Sequence, residues 1–155
     1  GTLIYGDGKT LLQIDKNENP IVSIGAESSI QLEQKDLGMQ TIRGEIIDPK
    51  CYFGVRKPGE GKVHRDCAIR CILGGIPPVL HVQNEKGESN DYLIVGPNGE
   101  KMNQADRDIE AEPVSIEAKV VQRDDWIILY TAKEKINRIS YVQLSDPNAK
   151  VIACA

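Results

Sequence analysis

Aromatic side chains make up only 5% of this chain, with a single tryptophan, Trp126, and a single phenylalanine, Phe53. Proteins that hold single-stranded nucleic acid stack its bases on exposed rings, so the shortage argues against a nucleic-acid partner, and Trp126 itself sits in an apolar run that reads as core. A formal charge of −4 gives no phosphate-binding footprint across the whole surface. No apolar run approaches the roughly 20 residues of a membrane-spanning helix, so this stretch of chain is not expected to contact a membrane itself. There is no C-x-x-C, the pair found in thioredoxin-type redox motifs and in common zinc knuckles, and no C-x-x-C-H for a c-type haem. The run GVRKPGEGK at 54–62 looks superficially like a phosphate loop, but its spacing is wrong and Val63 follows the lysine. Repeats of 20–50 residues and low-complexity tracts are missing too.

What remains is a chain of 155 residues, 40% hydrophobic and 27% charged, long enough to bury a core and balanced like a globular protein. It opens on Gly1 without a methionine, which is expected of a piece of a longer precursor. Period-2 patterns and turn dipeptides dominate. Thr2 to Tyr5 and Thr10 to Ile14 around Gly6-Asp7-Gly8 predict a hairpin. Ile21 to Ile24 and Thr41 to Ile47 predict strands, the second ending at Asp48-Pro49. Pro77-Pro78 leads into a strand over VLHV, and Asp91 to Val95 followed by Gly-Pro-Asn-Gly predicts a further hairpin. Val114 to Val121 and Trp126 to Thr131 are the longest β runs, joined by Gln122 to Asp125. Asn103 to Glu110 is read as a helical turn, and Asp106 to Glu112 as a solvated acidic stretch. Ala132 to Ser140 fits either helix end or strand.

Lys62 to Leu73 predicts the one convincing helix, free of internal Gly and Pro and stopped by Gly74-Gly75. The expected fold is mainly β, a small OB-like β-barrel with one inserted short α-helix carrying a Cys/His cluster. The expected division is an N-terminal β segment at 1–40, the barrel at 41–145 and a tail at 146–155.

Chemistry concentrates between Cys51 and Cys71, where three of four cysteines and one of two histidines fall. On a helix His64, Cys67 and Cys71 stand at i, i+3 and i+7, on one face. Four readings of Cys51, His64, Cys67 and Cys71 stay open. A disulfide would join Cys51 to Cys67 or Cys71, because Cβ atoms one helical turn apart, at about 6 Å, are too far for a Cys67–Cys71 bridge. A Cys3His site, spaced C-x12-H-x2-C-x3-C, would take zinc, copper or iron. A free thiolate supported by Lys62, Arg65 and Arg70 would serve redox chemistry. Plain buried cysteines would act as small hydrophobes. Co-ligation suits His64 and Cys67 better than nucleophile activation does. His81 reads as a structural strand residue that joins the cluster only if its strand passes behind the helix, and Cys154 as a bystander. The exposed loop residues Arg56 and Lys57 offer a basic patch for an acidic partner.

The runs GEIIDPKCYFG and HRDCAIRCILGGIPP resemble a family of uncharacterised bacterial secreted or membrane-anchored proteins, over roughly residues 41–131. The shared pattern is a glycine-led strand, an Asp-x-x-Cys turn, His-x2-Cys-x3-Cys, and Gly-Gly before a strand. The resemblance implies an OB-like module outside the cytoplasm, periplasmic or in the cell envelope and membrane-tethered in the full-length protein. Cys51, His64, Cys67 and Cys71 match its recurrent positions, and no activity comes with it. The expected function is a non-enzymatic accessory whose cluster binds a metal or forms a structural disulfide, alongside an envelope or electron-transfer protein. The alternative is a thiol-redox or metal-dependent oxidoreductase accessory with one reactive cysteine.

Overall fold

A computed structural model describes residues 1–6, 8–14, 19–21, 23–25, 33–54, 57–103 and 109–144. Alternation builds the core. Ile42 and Ile46, Leu80 and Val82, Tyr92 and Ile94, Val114 through Val120 at every second position, and Ile127 and Leu129 all point inward and are buried together. Successive side chains on a strand face opposite ways, so five amphipathic strands turn their apolar faces to one interior and close into a barrel.

Those strands are β3 (Gln34–Ile47), β4 (Val79–Gln83), β5 (Ser89–Val95), β6 (Pro113–Arg123) and β7 (Trp126–Tyr130); β1 (Thr2–Gly6) and β2 (Lys9–Gln13) form a separate hairpin. The barrel order is β3-β4-β5-β7-β6, closed by a long antiparallel ladder between β6 and β3. The β5–β7 pair is parallel, from Tyr92 beside Ile127 to Val95 beside Tyr130. β8 (Ile136–Arg138) continues the edge of β6 where β7 leaves it. The expected mainly β, OB-like barrel with an inserted helix is what the chain forms.

Several local expectations need correction. β3 starts at Gln34, well before Thr41, because residues 34–40 find partners on β6. The described residues of the Ile21 to Ile24 run, Ile21, Ser23 and Ile24, lie in no strand, and Ile21 and Ile24 are exposed. The Gly96–Gly99 turn does not close a hairpin, since β5 takes β7 rather than the next strand as its neighbour. The acidic stretch is not solvated at its end: Glu110 and Glu112 are buried, and Glu112 meets Arg65 at 3.2 Å and Arg138 at 3.1 Å. Residues 132–140 resolve into a 3₁₀ turn over Lys133–Lys135 followed by β8. Most of the turn expected at Asn103 to Glu110, as well as Arg56 and Cys154, lies outside the described residues.

Everything between β3 and β4 is an insertion. It comprises α1 (Pro49–Phe53), a 3₁₀ turn over Lys62–His64, and α2 (Arg65–Leu73). Ala68, Ile69 and Ile72 bury one face of α2, and Ile72 joins the barrel core. The helix stops as expected at Gly74-Gly75, where Gly74 N–H bonds the Arg70 carbonyl and Gly75 takes a φ of 106° that favours glycine. Asn103 then ties this end down by donating to the Ile72 and Ile76 carbonyls. α3 (Tyr141–Leu144) follows β8. Among the described residues no helix is long and apolar enough to cross a membrane.

Candidate metal centre

The site begins with one aspartate. Asp48 follows the last residue of β3 in an extended conformation and is itself followed by Pro49, a pairing that favours a helix start, with an acceptor at the N-cap and a residue of fixed φ and no N–H at the first position. Its Oδ1 accepts the Cys51 N–H at 2.9 Å, and its Oδ2 meets Nε2 of His64, also at 2.9 Å. Both Asp48 and His64 are buried. One carboxylate thus fixes the first turn of α1 and the histidine that leads into α2.

That fixation brings two sulfurs together. Cys51 on α1 and Cys67 on the first turns of α2 stand 3.8 Å apart, Sγ to Sγ, as free thiols. One ligand atom from each of Asp48, Cys51, His64 and Cys67 lies within 4.8 Å of every other. Two thiolates on one tetrahedral zinc, bound at ~2.3 Å, would stand about 3.8 Å apart, so the sulfurs already have the needed separation. A zinc-bound imidazole nitrogen and carboxylate oxygen at ~2.1 Å would stand about 3.4 Å apart. The shorter His64–Asp48 contact is a hydrogen bond, which an entering ion would replace. Thiolate, imidazole and carboxylate are all zinc donors, so the residues fit the ion.

Of the four residues expected from sequence, Cys51, His64 and Cys67 belong to this group. Cys71 lies a turn further along α2, close enough to act on the other thiols but outside the four converging atoms. Asp48 was not among the expected ligands, although the Asp-Pro cap and the Asp-x-x-Cys spacing were the signals that could have named it. His81 does not join the cluster. It lies on the outer face of β4, between Glu45 on β3 and Asp91 on β5, and its Nδ1 meets Asp91 Oδ1 at 2.8 Å.

The electrostatics depart from a reactive-thiolate site. Burial, followed by the charge of Asp48, pushes both the Cys51 and the Cys71 thiols above the ordinary range. Two of the three cations expected to lower them are engaged elsewhere: Arg65 bonds Glu112, and Lys62 lies over the Tyr141 ring at 5.5 Å; Arg70 is exposed on α2. Burial opposes charge on His81 as well, but the hydrogen bond and charge of Asp91, with Glu60 and Glu45, outweigh it and raise its pKa. Glu45 is raised chiefly by burial.

The insertion folds back over this outer face. Gly61 N–H donates to Glu45, Glu60 approaches His81 at 3.9 Å, and the Tyr52 ring lies 5.0 Å from the imidazole. On its other side α1 meets the β1–β2 hairpin so tightly that a Cβ on Gly6 would fall 2.5 Å from the Phe53 carbonyl oxygen. A groove of about 470 Å³ runs between them, lined by Leu3, Ile4, Tyr5, Lys50 and Phe53, with Cys51 in its wall. No protein-family model, no curated protein and no solved structure matches this chain.

Proposed function

We propose that this protein is a zinc-holding accessory module without catalytic activity of its own, in which Cys51, His64, Cys67 and Asp48 bind one ion. The observation that carries this reading is the convergence within 4.8 Å of four donor groups, from α1 and its cap and from α2 and the 3₁₀ turn before it, with the sulfurs at the spacing of a shared tetrahedral zinc. Zinc suits the set better than copper(I), which favours softer, all-sulfur ligands. The raised thiols are consistent with a site that an ion, rather than the protein alone, deprotonates, so that binding releases protons. In this reading the ion clamps α1 to α2 and makes the insertion a rigid face on the barrel.

The resemblance noted from sequence supports a place outside the cytoplasm, tethered to a membrane in the full-length protein, with an envelope or electron-transfer protein as partner. Elemental analysis of protein purified without chelator tests the metal. Zinc near one equivalent, lost in both Cys51→Ser and Cys67→Ser but kept in Cys71→Ser, supports the set. Loss in Cys71→Ser with retention in Asp48→Asn would instead return the ligand set to three cysteines and a histidine. A metal-free protein would sink the reading.

A further inference from the structure

A metal site and a disulfide are competing uses of Cys51 and Cys67, and the geometry allows both in turn. The two sulfurs are 3.8 Å apart, and a disulfide requires about 2.05 Å. Closing the gap moves them about 1.8 Å relative to each other. They sit on separate elements, one of them the five-residue α1, whose link to α2 includes the turn 57–61 rather than continuous helix. The other cysteine of the cluster, Cys71, shares α2 with Cys67, where the one-turn separation opposes a bridge between those two; it also interacts with the Cys51 thiol, but the Cys67 sulfur is the one that converges with Cys51 on the donor group. Access is available from two sides: Cys67 is half-buried rather than sealed, and the groove between α1 and the hairpin leads to Cys51.

We infer that the centre is a peroxide-responsive switch, in which oxidation of Cys51 and Cys67 to a disulfide expels the ion. The inference rests on the zinc reading above. Cys67, the less buried of the two residues and deprotonated when the ion is bound, attacks hydrogen peroxide as a thiolate. The O–O bond breaks, Cys67 becomes a sulfenic acid, and the departing hydroxide takes a proton to leave as water. The Cys51 thiolate then attacks the Cys67 sulfur. The S–S bond forms, the S–O bond breaks, and a second hydroxide is protonated to water. Two thiolates have given two electrons to one peroxide, two protons have been consumed, and two of the four metal donors are gone. His64 and Asp48 alone do not hold a zinc ion, so it leaves, and the two return to their hydrogen bond. In both states α1 stays fastened to α2, by zinc before oxidation and by sulfur after it.

The test uses the full chain as purified, reduced and zinc-loaded, mixed with hydrogen peroxide in the presence of a chromophoric zinc chelator. The expected result is one zinc released per disulfide formed, with a mass two units below that of the reduced metal-free protein. Peptide mapping should join Cys51 to Cys67, and dithiothreitol should restore zinc binding. Cys71→Ser should release zinc with the same stoichiometry, and mapping on the unmodified chain gives the assignment should that variant not fold. Zinc that stays bound through peroxide treatment overturns the switch and leaves the metal reading standing. So does release accompanied by sulfinic acid without a bridge, or a bridge that uses Cys71. Untreated protein that holds no zinc overturns both.

Discussion

Replacing Asp48 separates two jobs that one side chain performs. In Asp48→Ala the N-cap of α1 is lost, which costs about 1 kcal/mol. The same change strips His64, only 6% exposed, of its hydrogen-bond partner, and an orphaned buried polar group costs about 1–3 kcal/mol. The metal-free, reduced variant should therefore be about 2–4 kcal/mol less stable than the parent. Asp48→Asn keeps an oxygen for the Cys51 N–H and offers an amide N–H to the imidazole, whose other tautomer accepts it, so it should lose only about 1 kcal/mol. It nevertheless removes the anionic donor, and zinc affinity should fall at least tenfold. Urea denaturation followed by the fluorescence of Trp126, with chelator and reductant present, measures the first pair of numbers; competition with a zinc indicator measures the second. An alanine variant within 0.5 kcal/mol of the parent, or an asparagine variant as unstable as alanine, would refute the assignment of Asp48 as the hub.

Three further outcomes are expected. His81 has a folded pKa raised above its ordinary 6.5, so the stability it contributes is complete below that value and drains away as pH rises through the folded one; Glu45, also raised, has the same sign at lower pH, and urea midpoints from pH 5 to 9 should fall less steeply in His81→Gln. A Cβ at position 44 would lie 2.4 Å from the His81 carbonyl oxygen and 2.9 Å from Leu80, so Gly44→Ala should force β3 and β4 apart and cost about 2 kcal/mol or more in thermal or urea unfolding. Glu112→Ala leaves Arg65 and Arg138 facing each other without their shared carboxylate, but both reach solvent, which limits the expected loss to about 1–2 kcal/mol by the same denaturation assay.

What could be read from sequence was whatever depends on neighbours along the chain. The alternation in Val114–Val121 and the turn ending at Asp125 fix elements that are present in the barrel, and the gap-free run from Lys62 to Leu73 fixes the insertion's helix, which opens on a 3₁₀ turn over Lys62–His64. The nearness of His64 and Cys67 follows from their spacing across the start of α2, whereas Cys71, expected on the same face, stays outside the converging donors. Asp48 was missed as a donor because α1 is a single short turn, too brief to show a period, and because its meeting with His64 spans the whole loop between them. The burial of Glu112 depends on arginines from α2 and β8, and the parallel pairing of β5 with β7 depends on closing the barrel. Such long-range matches leave no mark on a window of a dozen residues.

Ile47 and Val79 are direct partners across β3 and β4, so the chain leaves the barrel for the metal centre and returns beside the point of departure. For evolution this is a separable graft. The strands on either side keep their register whatever lies between them, so the insertion can lengthen, shed its ligands or acquire others without renegotiating the barrel ladder. The constraints that remain are the insertion's ties to the barrel: Ile72 must still reach the core, Arg65 must still meet the buried Glu112, the 60–61 turn must still cover Glu45 and His81, and Asp48 must still hand the strand over to a helix. Among descendants of such a module, barrel and centre are free to change at different rates, and a barrel without the cysteines would be recognisable as kin by its ladder alone.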